Sequence, residues 1–529
     1  MGKTLSNKYS KILINPYFTG ICLFVITLLI GLFTYKDYGM AWDEPDQRAP
    51  GVQSYNYIFN GNQELFQKKS DHHGAGFEIP LVIIEKSLNI TDPKAIYEMR
   101  HLVTHLFFLV SLVFGYFLFY RLFKSNLIAS IGYLLLAFSP RIYAHSFFNT
   151  KDLPFLCMFT IIFAVSEYAF NKKNKLSLFF ILGLLCGYAT SIRIMGVMIG
   201  GLIIAFLLLD LFFNLKDKEK PIKTVLKIVL FIVGFFALLL LGWPFLWHNP
   251  VKNFADSFAS FSHYEWNGPV LLNGKFEKAT KLPWFYFPVW FFITNPILWL
   301  IAGFTGILLL ILAFIKKPIE YLKNTTNRNF IFYLACFFAP IFAVIVLHSV
   351  IYDDWRHLYF VYPSFVLLAL YAINFFMQKK FKWVLVSLCA LQFISIAWFM
   401  VKNHPLNHIY FNELVSHEED SLRHNYEMDY WGLSMKQGLE YIAANDTSQH
   451  IKIASDFALT PIRNNIQMLP MQDRVRFDTI GWQKADYFMT NFRCHPDDYP
   501  PNSSITIDYT LSMLNSQILC IFKMHNSKK

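Results

Sequence analysis

Residues 16–35 read PYFTGICLFVITLLIGLFTY, twenty residues without a charge. At about 1.5 Å per residue, a helix of that length spans the roughly 30 Å hydrocarbon core of a bilayer. Lysines at 3, 8 and 11 precede it. A signal peptide would have a shorter apolar core and a small-residue cleavage site behind it. This run is longer and no such site follows, so a retained anchor is expected. Residues 224–247 form a second window of the same kind. Outward from these two, apolar runs predict about eleven spans: 15–35, 101–120, 126–141, 154–170, 176–192, 195–213, 224–246, 290–314, 330–350, 358–377 and 383–401.

The segments between the spans alternate in character. One set is short and rich in lysine: Arg121–Ser125, Asn171–Lys175, Lys216–Lys223, Lys316–Arg328 and Gln378–Lys382. The other is mixed in charge and rich in aromatics: 36–100, 142–153, 248–289, 352–357 and 402–529. Lysine and arginine favour the cytoplasmic side, which places the first set and the N-terminus inside and the second set outside. The reading is an α-helical polytopic membrane protein. Its membrane domain covers 1–401, with outer loops 36–100 and 248–289. Residues 402–529 are long enough for a small extracytoplasmic domain. That domain combines a helical pattern at Ser434–Ala444 with strand patterns at Lys452–Ala454, Ala485–Asn491, Ile505–Tyr509 and Ile518–Lys523, so mixed α/β is expected. In the 248–289 loop, Val251, Phe254, Phe258 and Phe261 recur near helical spacing. They fit a helix lying in the interface or one packed on the bundle.

Composition agrees. The chain is 55% hydrophobic and 16% charged, whereas a soluble protein carries about a quarter charged residues. The net charge of +11 belongs with lysine in inner loops. No basic stripe interleaved with aromatics is present, which argues against nucleic acid. Of seven cysteines, Cys22, Cys157, Cys186, Cys336 and Cys389 lie in apolar runs and Cys494 and Cys520 in the polar C-terminal segment. No C-x-x-C pair suggests zinc. A disulfide between the last two is open to an extracytoplasmic segment.

Ionisable residues close to hydrocarbon are costly and so point to function. All the clusters fall in the outward set. Trp42-Asp43-Glu44-Pro45-Asp46, ending at Arg48, follows the first span closely; such carboxylates can bind a metal, hold a hydroxyl, act as a base, or belong to a solvated turn. Ser139-Pro140-Arg141-Ile142-Tyr143-Ala144-His145 runs on to Lys151-Asp152, packing four ionisable groups into one short turn. Cations there can hold a phosphate. Arg193 interrupts the apolar stretch 176–213 and needs an anionic partner. Tyr352-Asp353-Asp354-Trp355-Arg356-His357 is a fourth cluster, and Asp71-His72-His73 a weaker fifth.

These segments together resemble the dolichyl-phosphate-mannose protein mannosyltransferase superfamily of membrane GT-C glycosyltransferases, which includes the bacterial aminoarabinose transferases, and within it a bacterial subgroup. The resemblance rests on AWDEP (41–45), SPRIYAHSFFNTKDLP (139–154), TSIRIMG (190–196), WPFLWHNP (243–250), LPWFYFPVW (282–290), YDDWRHLYFVYP (352–363), HPLNHIYFNELV (404–415) and YEMDYWGLS (426–434). It implies catalytic roles for Asp43, with Glu44 beside it, and for Asp152, Asp43 being the favoured general base. It implies that Arg141, Lys151, Arg193 and Arg356 bind the donor phosphate, with His145 and His357 as further substrate-binding candidates. One departure stands out: Pro45 and Asp46 separate the acidic pair from Arg48. No β-trefoil insertion is evident in the C-terminal domain.

The implied partners are a polyprenyl-phosphate sugar donor, a lipid, glycan or protein acceptor, and membrane lipids. The implied place is a bacterial inner membrane with the C-terminal domain outside. No cofactor is assigned, and a divalent metal could bridge Asp43 and Asp152. In-line attack would invert the anomeric carbon. Two rivals remain. A transporter or flippase of a lipid-linked saccharide would place its charges near the midplane, on repeated halves with broken helices, and no internal repeat is visible. A ligase-like enzyme would use a pyrophosphate carrier.

Overall fold

A computed structural model describes residues 15–67, 74–171, 175–215, 219–262, 266–380, 382–499 and 505–525. The Asp71-His72-His73 cluster lies outside the described residues.

Helix α1 (Pro16–Thr34) opens at Asn15, whose side chain accepts the Tyr17 N–H, one of the donors that a helix start leaves unpaired. The chain then forms α2 (Glu44–Asn60) and α3 (Glu78–Ser87) and re-enters the bundle as α4 (Pro93–Phe123). Asp92 caps α4 by accepting the Ala95 N–H, with Pro93 behind it. Next come α5 (Asn126–Ala137) and α6 (Pro140–Phe148), two halves of one broken span bent by 61°. Pro140 has no N–H to donate and holds Ser139 extended at ψ 109°, so the helix must break there. It is followed by α7 (Asp152–Asn171), α8 (Leu176–Ile192), α9 (Gly196–Phe213) and α10 (Lys220–Gly242). α8 and α10 meet backbone to backbone. A Cβ on Gly183 or Gly187 would strike the carbonyls of Phe231 or Phe235, the close approach that small residues permit between membrane helices. Helix α11 (Pro250–Ser262) and a hairpin of β1 (Pro269–Leu272) with β2 (Lys275–Lys278) lead to α12 (Tyr286–Ile293). The bundle is completed by α13 (Ile297–Lys316), α14 (Thr325–Val346), α15 (Tyr362–Met377) and α16 (Lys382–Lys402).

Among the described residues nine helices are long and apolar enough to cross a membrane; α5–α6 adds the broken span and α8 a shorter apolar helix. These eleven elements overlap the eleven expected spans, with two differences. Residues 142–148, expected in the outward loop 142–153, are helical and form most of α6. Residues 290–293 belong to α12, and α13 starts only after Pro296, whose ring bars a continuous helix. α7 is the central helix, 78% of its apolar window buried against 11% for α16. In α11, Phe254 packs near Trp243 while Val251 and Phe258 stay exposed.

The C-terminal domain carries α17 (Ser434–Asn445), β3 (Ile451–Ala454), α18 (Leu459–Ile466), β4 (Phe477–Thr479), β5 (Tyr487–Thr490), β6 (Ile505–Met513) and β7 (Ser516–Met524). They form one mixed sheet in the order β4-β3-β5-β7-β6. β3 is parallel to β4 and β5, and β7 antiparallel to β5 and β6. Met435, Leu439, Ile462, Met489 and Ile521 join its core. β4 and α18 go beyond the sequence expectation; a three-residue strand is too short to leave a periodic pattern. Cys494 and Cys520 are free thiols, so the disulfide that the sequence left open is not formed.

The domain is fastened to the segment after α1. Asn465 accepts the Met40 N–H at 2.9 Å and donates to the Met40 carbonyl at 3.0 Å. Trp42 donates its N–H to the Trp431 carbonyl at 2.9 Å, and Lys436 donates to the carbonyls of Lys36 and Asp37.

Candidate active site

Four separate chain segments meet at one end of the bundle. Asp43 sits at the start of α2, and Asp152 opens α7. Arg193 closes α8. Arg356 follows a tight turn at Asp353-Asp354, both residues of which have positive φ, 54° and 62°. Two successive left-handed non-glycine residues store strain, and such strain persists where surrounding contacts hold it. Here those contacts pull the two carboxylates apart, towards different partners.

The Arg356 guanidinium is the hub. It donates to Asp43 at 3.2 Å, to Asp353 at 3.3 Å and to Asp152 at 3.5 Å, with its plane near the rings of Tyr352 and Trp431. Asp152 is buried; it pairs with Arg193 and accepts from Asn149 at 2.9 Å. Asp353 takes a second cation, Arg493, at 2.9 Å. Burial pushes the Asp353 carboxyl up, against the pull of Arg493 and Arg356. Three carboxylates thus face Arg193, Arg356, Arg493 and Lys151. The Asp43 side chain is the open one, 31% exposed against 1% for Asp152.

Donors are left over on the cationic side. The Nε of Arg193 and of Arg356 are buried without a hydrogen-bond partner. The Lys151 ammonium makes no hydrogen bond or ion pair among the described residues. Burial and the neighbouring Arg193 push its amine down to about 7, opposed by Asp152, Asp43 and Glu78. Unpaired buried donors are costly, so this corner is built for an anion.

The other expected residues are placed differently. Glu44 turns away from Asp43; it accepts the Ala41 N–H at 2.7 Å and pairs with His101 at 3.0 Å, fully buried. Arg141 donates to Asp354 at 2.9 Å and to the Tyr410 carbonyl at 3.0 Å, between the rings of Trp290 and Phe411. His145 is buried among Tyr359, Tyr430 and Trp431. His357 lies edge-on to Tyr352 with Nδ1 unpartnered. Arg48 is held by both oxygens of Glu85.

Sequence reading missed Arg493, which has no local signal and arrives from the far end of the chain. It also missed Asp353 as a partner of Arg356, although the cluster around it was visible. Behind the cluster, Asp354 accepts from Tyr359 at 2.8 Å and Tyr430 at 2.7 Å as well as from Arg141. Burial pushes the Asp354 carboxyl up, and Arg141 with the two phenols opposes that.

Residues 97–243 match the model of a family described as dolichyl-phosphate-mannose-protein mannosyltransferase. The apo oligosaccharyltransferase of Archaeoglobus fulgidus superposes with a TM-score of 0.50 at 10% identity, over 90% of this chain and 70% of that one. ArnT from Cupriavidus metallidurans, bound to undecaprenyl phosphate, gives 0.47 at 12% identity, over 95% and 97%. No curated protein sequence matches. The membrane fold is shared with that archaeal oligosaccharyltransferase.

Proposed function

We infer that this chain, whose residues 97–243 match the dolichyl-phosphate-mannose-protein mannosyltransferase family, moves a sugar from a polyprenyl-phosphate carrier to an acceptor hydroxyl or phosphate on the outer face of a bacterial inner membrane. The observation that carries this reading is the pair of buried, unpaired Nε donors of Arg193 and Arg356, standing with the Lys151 ammonium beside the half-open carboxylate of Asp43. A phosphate is the anion that such donors suit. The related ArnT structure holds undecaprenyl phosphate, and we extend that ligand class to this chain.

The residues divide the work. Lys151, Arg193 and Arg356 bind the donor phosphate and stabilise the charge that develops on it as the glycosidic bond breaks. Asp43 takes the proton of an acceptor hydroxyl as its oxygen attacks the anomeric carbon from the face opposite the phosphate, which inverts that carbon. Asp152 orients Arg193 and Arg356. Arg141 keeps the Asp353-Asp354 turn in place through Asp354. Glu44 fixes the loop that carries Asp43, through Ala41 and His101.

The test is transfer by the purified protein from an undecaprenyl-phosphate-linked sugar, with mass spectrometry of surface glycans and lipid A in a deletion strain to find the acceptor. No transfer from any polyprenyl-phosphate sugar, and no change of envelope glycans on deletion, would refute it.

A further inference from the structure

The Asp353 carboxylate joins two guanidiniums. Its Oδ2 accepts from Arg356 at 3.3 Å and its Oδ1 from Arg493 at 2.9 Å. Arg356 lies over the Trp431 ring and Arg493 over the Trp42 ring, 4.7 Å and 4.9 Å from their centres. The segments that carry those tryptophans are themselves joined, since the Trp42 N–H donates to the Trp431 carbonyl. Arg493 also donates, through Nη1, to the Tyr430 carbonyl. One side chain of the C-terminal domain thus touches both the residue before Asp43 and the acid that holds Arg356.

The backbone that presents it is strained. β5 ends at Thr490, and the residues on either side of Arg493, Phe492 and Cys494, have positive φ, 60° and 62°. Left-handed backbone is unfavourable for a side chain as bulky as phenylalanine, and it persists where contacts hold it. Those contacts are present. Asn491 donates to the Asp429 carbonyl at 2.8 Å, the Phe492 N–H donates to Thr490 Oγ1 at 3.0 Å, and the Phe492 ring packs under the Arg423 guanidinium. The Asp353-Asp354 turn opposite is left-handed too. Two held turns, one from each domain, therefore face each other across one ion pair. On the membrane side Arg141 holds Asp354, and from the C-terminal side Arg493 holds Asp353.

We propose that Arg493 is a positioning residue for the donor site: from the C-terminal domain it clamps the Asp353-Asp354 turn, and so sets where Arg356, three residues on, presents its guanidinium. Without it, Asp353 Oδ1 is buried with no partner, which is unfavourable, and the strained turn is free to relax. The domain is also fastened by Asn465 on Met40 and by Lys436 on the carbonyls of Lys36 and Asp37, so it stays docked when Arg493 is lost. Lysine is a partial substitute. It keeps the charge, but a single ammonium replaces two nitrogens aimed at separate acceptors and a flat face on Trp42. The role of Arg356 on a phosphate rests on the glycosyltransferase reading; the clamp does not.

The experiment therefore needs no substrate for its main arm. Hydrogen exchange of the full chain in nanodiscs is read by mass spectrometry for wild type, Arg493→Gln and Arg493→Lys. One peptide, 350–361, reports the clamped turn; a second, 459–469, reports docking of the domain through α18. Arg493→Gln should speed exchange of the first about tenfold or more and leave the second within about twofold, with Arg493→Lys between wild type and Arg493→Gln. Unchanged exchange of 350–361 would overturn the proposal, and equal acceleration of both peptides would reduce Arg493 to a docking contact. Undecaprenyl phosphate titrated into the same preparations should bind Arg493→Gln about tenfold more weakly than wild type. A loosened turn with unchanged lipid affinity would break the link to the donor site. Failure of the wild type to bind any polyprenyl phosphate would count against the functional reading alone and leave the exchange results to decide the clamp.

Discussion

The Arg356 guanidinium stands between the carboxylates of Asp43 and Asp152, 3.2 Å from the first and 3.5 Å from the second. One cation thus joins an acid that solvent can reach to one that it cannot. A ligand phosphate arriving at Arg356 would compete with Asp43, the more loosely held partner, and release its carboxylate towards an acceptor.

From this relationship Asp43→Asn should lower kcat by about 10²–10⁴-fold, the usual contribution of a general base. The amide still fits beside Arg356, so undecaprenyl phosphate should bind within about threefold of wild type. Titration of the lipid by intrinsic fluorescence, alongside turnover, separates the two. Near-normal turnover would remove Asp43 from the mechanism.

Glu44 should behave otherwise, because it is buried against His101 and the Ala41 N–H. Glu44→Ala leaves both without their partner, which typically costs about 3 kcal/mol. A thermal melt should show the loss as a Tm lower by roughly a few degrees. Transfer abolished at an unchanged Tm would instead put Glu44 among the reacting groups.

The contrast between these neighbours marks what a sequence can reveal. The eleven apolar elements were legible because a bilayer imposes one length and one polarity on each. The α/β character of the C-terminal segment was legible from its strand periodicity. The acids and cations stood out because charge near hydrocarbon is rare. What their order along the chain could not tell is which way each side chain turns. Adjacent Asp43 and Glu44 diverge, as do Asp353 and Asp354, since a helix start and a left-handed turn point successive residues in different directions. Arg493 lies 140 positions from Asp353, a pairing set by how the C-terminal domain docks and by nothing local.

Lys151 gives a pH dependence with a definite sign. Its amine, pushed down to about 7 by burial and Arg193, is charged below that pH and neutral above it. A phosphate needs the charged form, so donor affinity should weaken as pH rises through 7. Lys151→Arg remains charged throughout and serves as the reference, which also cancels titration of the lipid phosphate. Between pH 6 and 8, wild-type affinity should fall up to about tenfold relative to Lys151→Arg. Parallel curves for the two proteins would show that Lys151 does not meet the phosphate.

Cys494 tests both the side and the redox state of the C-terminal domain. It is a half-buried free thiol just after β5. A membrane-impermeant maleimide should label it in intact spheroplasts without prior reduction, and an alkaline phosphatase fusion after Lys529 should be active. Labelling only after lysis would put the domain in the cytoplasm and move the whole site with it. Labelling only after reduction would restore the disulfide.

The donor itself is predicted to be a lipid-linked sugar phosphate and not a nucleotide sugar. Nucleotide sugars are made in the cytoplasm, so a direct user needs a cytoplasmic site. Sites of the usual kind place a glycine-rich turn at a helix N-terminus within a βαβ unit of about 30 residues. The lysine-rich segments of this chain are each about a dozen residues or fewer and contain no G-x-G-x-x-G. Asp43, Lys151, Asp152, Arg193 and Arg356 instead gather at the end of the bundle opposite those segments. A polyprenyl phosphate satisfies that geometry: its tail remains among the apolar helices while its head meets the Lys151 ammonium and the unpaired Nε donors of Arg193 and Arg356. Purified protein should transfer sugar from an undecaprenyl-phosphate donor. Lys151→Ala should raise the donor KM about tenfold while changing the acceptor KM by less than about twofold, because the ammonium makes no contact that the fold requires. Efficient transfer from a nucleotide sugar in the absence of any lipid carrier would overturn this assignment, and an equal rise in both KM values would move Lys151 from the donor site to a general structural role.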